Sequence, residues 1–356
     1  NVHRGAHTLG VEATQMLEEA RQAVAKFIGG EEKEIIFVRN TTEAINLVAY
    51  SWGMDNLKSG DTVVSTIMEH HANMVPWQQV CKKTGAKLEL VKIDSEGRLD
   101  QNDFKEKLKL KPKLVVFTHV SNTLGTINPV KEMTRLAHKA GAIVLVDGAQ
   151  AVPHMKVDVS DIGCDFYVFS GHKMLGPMGI GVLWGKQEIL EKMSPFITGG
   201  GMINEVFEDH ATWAELPDKF EAGTPNVAGA VGLASAIEYL EKLGLENVRE
   251  HDKQIVKYAL VSLNKVTNLV LFGPKDANIR SGGIAFEYKG VHAHDVATIL
   301  DSEGVAVRSG HHCTMPLHKS LGLSASIRAS FNVYTTKRDI DSLVKALGKV
   351  RQVFGK

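Results

Sequence analysis

The sequence predicts an α/β fold: a large domain on a mostly parallel, doubly wound seven-stranded sheet over residues 1–245, and a smaller α+β domain over residues 246–356. Three observations predict it. Seven short runs rich in Val, Ile, Leu and Phe alternate with helix-periodic segments in the first half of the chain. Most of those runs are apolar at successive positions, as expected of strands covered by helices on both faces. Beyond residue 228 the alternation ends, and a long helical stretch leads into a short mixed segment.

Taken in order, the first helix covers 11–28, where Met16, Ala20, Ala23, Val24 and Phe27 recur at helical spacing and Gly29-Gly30 stops it. The expected strands are 35–38, 62–65, 88–93, 114–118, 143–146, 166–169 and 181–184. Helices over 43–52, 73–83, 103–110 and 130–140 lie between them. From 198 to 226 the chain is glycine-rich, polar and aromatic, too long for a plain connector, and reads as an irregular functional loop. Helical spacing returns over 228–263, broken near Gly244. Strands at 270–272 and 283–286, a helix at 295–303, a short strand at Ala306-Val307 and a last helix at 337–354 complete the small domain.

The 41 basic residues balance the 41 acidic ones, so no net field draws the chain to nucleic acid or to an anionic membrane. A small-molecule or protein partner is the expectation. Cys81, Cys164 and Cys313 show no CxxC spacing, and no disulfide is expected, in keeping with a reducing compartment. No apolar run approaches membrane-spanning length and no secretory signal pattern opens the chain, which reads as soluble and cytoplasmic, or stromal in a eukaryotic organelle. Because the sequence starts at Asn1 without Met and soon enters a helix, a preceding segment is expected.

The chemistry gathers at strand ends. Lys173 follows the strand at 166–169 in Ser170-Gly171-His172-Lys173, at the edge where open α/β sheets bind ligands; alone it reads equally as a surface lysine or a catalytic amine. Asn40 and Glu43 have capping-box spacing after the strand at 35–38. That helix start, with the Thr41 and Thr42 hydroxyls, would also suit a phosphate. His70, in Glu69-His70-His71, is placed to stack on a ring, pass a proton or bind metal. Asn122 alone reads as a turn residue. Asp147 ends a fully apolar strand, where an unpaired carboxylate is costly and calls for a cation. Together these features fit one ligand with a phosphate, a ring, a basic ring nitrogen and an aldehyde, namely pyridoxal 5′-phosphate.

Cys313 lies in Arg308-Ser309-Gly310-His311-His312-Cys313, in a polar loop with Arg328 downstream, where neighbouring cations favour a thiolate. It reads as a nucleophile, whereas Cys81 and Cys164 read as structural. His311, His312, Cys313 and His318 match no zinc spacing, and no metal site is expected.

The motifs FVRNTTEAINLVAYSW, EHHANMVPWQ, HVSNTLGTINP, VLVDGAQAVPH, SGHKMLGPMGIG, KFEAGTPN and RSGHHC, with NVHRGAHTLG at the start, resemble the SufS-type (group II) cysteine desulfurases, which are fold-type I pyridoxal-phosphate enzymes. The resemblance spans the chain to its last helix and implies a homodimer with active sites at the subunit interface. By this resemblance Lys173 holds the cofactor covalently, Asp147 partners its ring nitrogen and His70 stacks on its ring. It likewise implies Gln150 and Asn122 as contacts to the phenolic oxygen and the substrate. Thr42, Ser170 and His172 would be phosphate ligands, joined by Thr224 from the other subunit. Arg328 clamps the substrate carboxylate with Arg308 as a second arginine, and Cys313 takes sulfur from L-cysteine as a persulfide, releasing alanine. A sulfur acceptor of the Suf system, serving iron-sulfur cluster assembly, is the implied destination. Selenocysteine lyase or cysteine sulfinate desulfinase activity is the alternative on the same apparatus. Three positions depart from the family pattern: no acidic residue precedes Met202-Ile203, Thr314-Met315 replace the common Ala-Gln, and Asn40 stands where some relatives carry Gly.

Overall fold

A computed structural model describes residues 2 and 7–355; residues 1 and 3–6, half of the NVHRGAHTLG motif, lie outside the described residues. Seven strands form one sheet: β1 (Ile35–Val38), β2 (Thr62–Thr66), β3 (Lys87–Val91), β4 (Leu114–Thr118), β5 (Ile143–Asp147), β6 (Phe166–Ser170) and β7 (Gly181–Gly185). Their order is β1-β7-β6-β5-β4-β2-β3. Six of them, β1, β2, β3, β4, β5 and β6, run in one direction, and β7 is antiparallel to both of its neighbours, β6 and β1. Every expected strand is present, with ends shifted by two residues at most.

Period-two alternation divides the strand side chains between two cores. On one face Val115, Phe117, Val144, Val146, Tyr167 and Phe169 pack with the helices Thr8–Ile28, Val130–Lys139 and Val227–Leu243. On the other, Leu114, Val116, Leu145, Phe166 and Val168 pack with Ala44, Ile45, Trp52, Trp77 and Val80. Each fully buried side chain of this size contributes about 1.5–3 kcal/mol relative to exposure. That both faces are covered explains why these strands carry almost no polar residue except at their ends.

The helix after β1 runs Thr41–Leu47 and passes into a π-helical segment, Val48–Gly53, where a single helix over 43–52 was expected. Asn40 sets its start by accepting a hydrogen bond from the Glu43 amide (3.1 Å). The first helix begins at Thr8, three residues ahead of expectation, because the His7 imidazole caps it through the Gly10 amide (3.1 Å).

The stretch 198–226 corrects the sequence reading. It contains a two-stranded hairpin, β8 (Ile203–Val206) and β9 (Ala211–Trp213), whose largely exposed residues lack the apolar alternation by which strands are recognised. Past Gly244, β10 (Leu269–Phe272), β11 (Gly283–Tyr288), β12 (Arg308–Gly310) and β13 (Ser326–Ser330) form an antiparallel sheet in the order β10-β11-β13-β12. Ile255, Val256, Phe286, Val296, Ile327, Leu343 and Leu347 give this unit its own core. The short strand expected at Ala306-Val307 lies instead at Arg308–Gly310, paired with β13, and β13 itself was not foreseen. Both are polar strands whose pairing is decided across the chain. No helix among the described residues is long and apolar enough to cross a membrane.

Candidate active site

The carboxyl ends of β1, β2, β4, β5 and β6 open onto one edge of the large sheet, and the chemistry lies there. β5 and β6 are neighbours, with Asp147 opposite Val168, and a 3₁₀ turn over Gly171–Lys173 carries Lys173 beyond the end of β6. Burial pushes the Lys173 ammonium below its ordinary range, against the upward pull of Asp147. Asp147 is buried and its carboxyl is pushed up by desolvation, with Lys173 opposing. Asp147 Oδ1 accepts from the Ala149 amide (2.9 Å). A carboxylate and an amine that oppose each other's desolvation suit a ligand offering both a cationic N–H and a carbonyl.

His70, at the start of the turn after β2, accepts from the Ala72 amide through Nδ1 (3.1 Å), which leaves Nε2 to carry the proton. Desolvation, reinforced by Lys173, pushes its pKa down to about 4, so the ring is neutral at pH 7. Beneath it lies Glu69, fully buried: Oε1 accepts from the Thr66 hydroxyl (2.5 Å) and the Thr118 amide (3.0 Å), and Oε2 from Asn73 (2.6 Å). These bonds tie the ends of β2 and β4 to the turn that bears His70. Burial pushes Glu69 up to about 8 from 4.5, so the folded state keeps a proton that the unfolded chain releases between those pH values. Stability contributed by this group is therefore present below about pH 4.5 and is lost as pH rises toward 8. A Glu69→Gln variant should show a shallower fall in unfolding free energy across this window, by a few kcal/mol, in denaturant titrations at stepped pH.

At the β1 end, the Thr41 amide donates to the Ser170 hydroxyl (2.9 Å) and the two hydroxyls are 2.7 Å apart, both buried. Gly181 permits this approach: a Cβ there would lie 2.7 Å from Asn40 Cα. Thr42 and His172 are exposed beside this pair. Burial, with Lys173 next, pushes the His172 pKa down. Thr224 lines a cavity of about 390 Å³ together with Arg39, Glu43 and Gly179.

The Cys313 loop closes the site from the second sheet. Cys313 is half-buried and free, and Arg308 Nη2 donates to its Sγ at 3.5 Å. His312 and Cys313 both have positive φ (50° and 59°), a conformation that non-glycine residues hold only when contacts impose it. Those contacts come from the large sheet: Asn122 Nδ2 donates to His312 O (2.8 Å), the His71 amide to Cys313 O (2.7 Å), and the Thr123 and Thr314 hydroxyls are 2.9 Å apart. Arg328 donates to Asn122 O (2.8 Å) and sits opposite Arg308 in the β12–β13 register. Burial, then Arg308, lowers Arg328 to about 10. Two arginines facing each other repel, and a carboxylate between them would relieve both. Gln150, Asn122 and Arg328 line one small crevice with Ser281 and Gly282.

Lys173, Asp147, His70, Ser170, Asn122, Gln150, Cys313, Arg308 and Arg328 thus come together at one edge, while Thr224, expected to act from the other subunit, lines the cavity beside Arg39. Cys81 and Cys164 are buried in the core, and burial raises both thiols, Cys81 to about 11. Sequence reasoning passed over Glu69, His71 and Thr123; the one available signal was Glu69, a charge placed just past an apolar strand. The electrostatically coupled Asp147 and Lys173, the neutral His70 and the Thr41–Ser170 pair fit pyridoxal phosphate.

A model of the Aminotransferase class-V family matches residues 1–343. The probable cysteine desulfurase of Halalkalibacterium halodurans is 52% identical over 356 residues, covering 100% of this chain and 87% of that protein. The apo cysteine desulfurase structure from Thermococcus onnurineus superposes with a TM-score of 0.95 at 42% identity, covering 98% of this chain and 87% of that one. The Escherichia coli cysteine desulfurase CsdA, in an S-sulfonic acid form, gives 0.91 at 38% identity, over 99% of this chain and 88% of that one. With the lysine, the aspartate and the loop cysteine brought to one sheet edge, and with this similarity over its whole length, the chain belongs to the class-V aminotransferase family, among its cysteine desulfurases.

Proposed function

We propose that the protein is a pyridoxal-phosphate-dependent cysteine desulfurase of the SufS type, which converts L-cysteine to L-alanine and leaves the sulfur on Cys313. The observation that carries this reading is the placement of the Cys313 thiol, under Arg308, over the edge that holds Lys173 and Asp147. Lys173, Asp147 and His70 would hold the cofactor's reactive end, and Thr41, Thr42, Ser170 and His172 its phosphate, with Thr224 reaching the partner site of a homodimer. When bound, the cofactor supplies a carbonyl that condenses with amines and an electron sink for charge at the substrate Cα.

The residues divide the remaining work. Arg328, supported by Arg308, takes the substrate carboxylate, and Asn122 and Gln150 line the crevice beside it. Lys173, whose ammonium form burial disfavours, removes the Cα proton and returns it where needed. His70 stays uncharged and holds its Nε2–H toward the site. The Cys313 thiolate attacks the substrate sulfur; the Cβ–S bond breaks with its electron pair going to carbon, which is protonated to give alanine. Cys313 is left as a persulfide, a species that a thiol-bearing acceptor protein relieves by the same exchange chemistry. An acceptor of the Suf type, for iron-sulfur cluster assembly in the cytoplasm, is the destination this reading implies. The short reach between β12 and the thiol favours a dedicated acceptor.

The test is a visible spectrum of the purified protein, followed by addition of L-cysteine with alanine and sulfide assays: no absorbance above 400 nm, about where Schiff-base chromophores absorb, or no alanine, would sink the proposal. Arg328→Lys keeps the charge and loses the planar fork, so KM for cysteine should rise about 10-fold or more with a smaller change in kcat, read from initial rates.

A further inference from the structure

The His71 side chain lies outside every role given above, yet the residue touches the catalytic loop twice. Its amide donates to Cys313 O (2.7 Å), and its Nε2 accepts from the Met315 amide (3.0 Å). A backbone N–H can only donate, so Nε2 carries no proton and the ring is the neutral Nδ1–H tautomer. Around it stand the His70 ring, 6.4 Å away on the same turn, and the His311 ring, 5.7 Å away on the loop. We propose that His71 is the positioning residue of the sulfur-accepting cysteine, holding Cys313 and Met315 from both sides so that the thiol stays over the Lys173 edge only while the His71 imidazole is neutral.

The loop needs such a hold. His312 and Cys313 are successive residues at positive φ, and a segment of that kind relaxes unless its neighbours fix it. Asn122 fixes the residue before the cysteine and the Thr123–Thr314 hydroxyl pair the side chain after it; His71 binds the Cys313 carbonyl and the Met315 amide. Protonation would turn Nε2 into a donor facing the Met315 donor and undo one of the two contacts. Burial foremost, and His311 next, hold the His71 pKa below its ordinary value, which keeps the contact intact at neutral pH. The thiol position thus depends on acidity through a residue that does not touch substrate.

The inference rests on Cys313 being the sulfur acceptor, and its test separates the two. Hydrogen exchange of the peptide spanning 311–317 is followed by mass spectrometry in the holoenzyme, corrected for intrinsic pH dependence, alongside alanine release. His71→Leu should speed exchange of the loop about 10-fold or more and lower kcat about as much, with KM for cysteine and the cysteine-induced spectral change retained. His71→Gln, whose amide oxygen can accept from Met315 but cannot be protonated, should restore protection and abolish the loss of protection that the wild type shows toward acid pH. Exchange and kcat within twofold of wild type in His71→Leu would overturn the inference. Loosened exchange in an enzyme that forms no alanine even as wild type would instead overturn the desulfurase reading and leave the loop anchor standing.

Discussion

Replacing Lys173 by Ala is expected to lower alanine formation from cysteine by about 1000-fold or more, the largest single effect at this site. Two contributions are lost together. On the proposed reading the amine that would anchor the cofactor is gone, and so is the base beyond the end of β6 whose ammonium form burial disfavours. Asp147, left without the cation that opposes its desolvation, should then be pushed further up. Borohydride reduction followed by peptide mapping gives a readout besides activity: the wild type should retain the cofactor mass on the peptide carrying Lys173, and the variant should not. Lys173→Arg should not rescue, because a guanidinium stays charged. Turnover within tenfold of wild type in Lys173→Ala would remove the lysine from the mechanism.

Cys313→Ala should be nearly as severe for alanine formation, by about 100-fold or more, but it should fail at a different step. Lys173, Asp147 and the Arg308–Arg328 pair are untouched, so cofactor content and the spectral response to cysteine should persist while no persulfide forms. Arg308 Nη2 loses its sulfur partner at 3.5 Å, which costs little at an exposed arginine. The comparison also separates neighbouring activities. If selenocysteine is turned over by Cys313→Ala as fast as by the wild type while cysteine is not, the thiol is required only for the sulfur substrate. Unchanged cysteine turnover would exclude Cys313 as the sulfur acceptor.

The readable parts of this protein are those whose signal is local. Phe166 to Phe169 is apolar at every position because both of its faces are buried, and a run of that kind announces a central strand wherever it occurs. Asp147 could be singled out for the same reason, since a carboxylate at the end of such a run must be answered by something cationic. The capping pair Asn40 and Glu43 identified a helix start, and the start proved two residues earlier than the apolar pattern alone placed it. The hairpin at Ile203–Trp213 and the strand Ser326–Ser330 were not legible, because exposed or polar strands owe their form to their partners.

Composition, periodicity and strand-end chemistry by themselves determined the seven-stranded sheet, its exposed reactive edge and the candidate amine, acid and thiol. Tertiary structure alone decided how the thiol reaches the amine. Asn122, His71 and Thr123 meet His312, Cys313, Thr314 and Met315 across about 190 to 240 residues, and the two arginines come opposite each other only through the β12–β13 register. Contacts of that range leave no periodic trace, because their energy depends on distances between elements that the chain sets only after both sheets have packed.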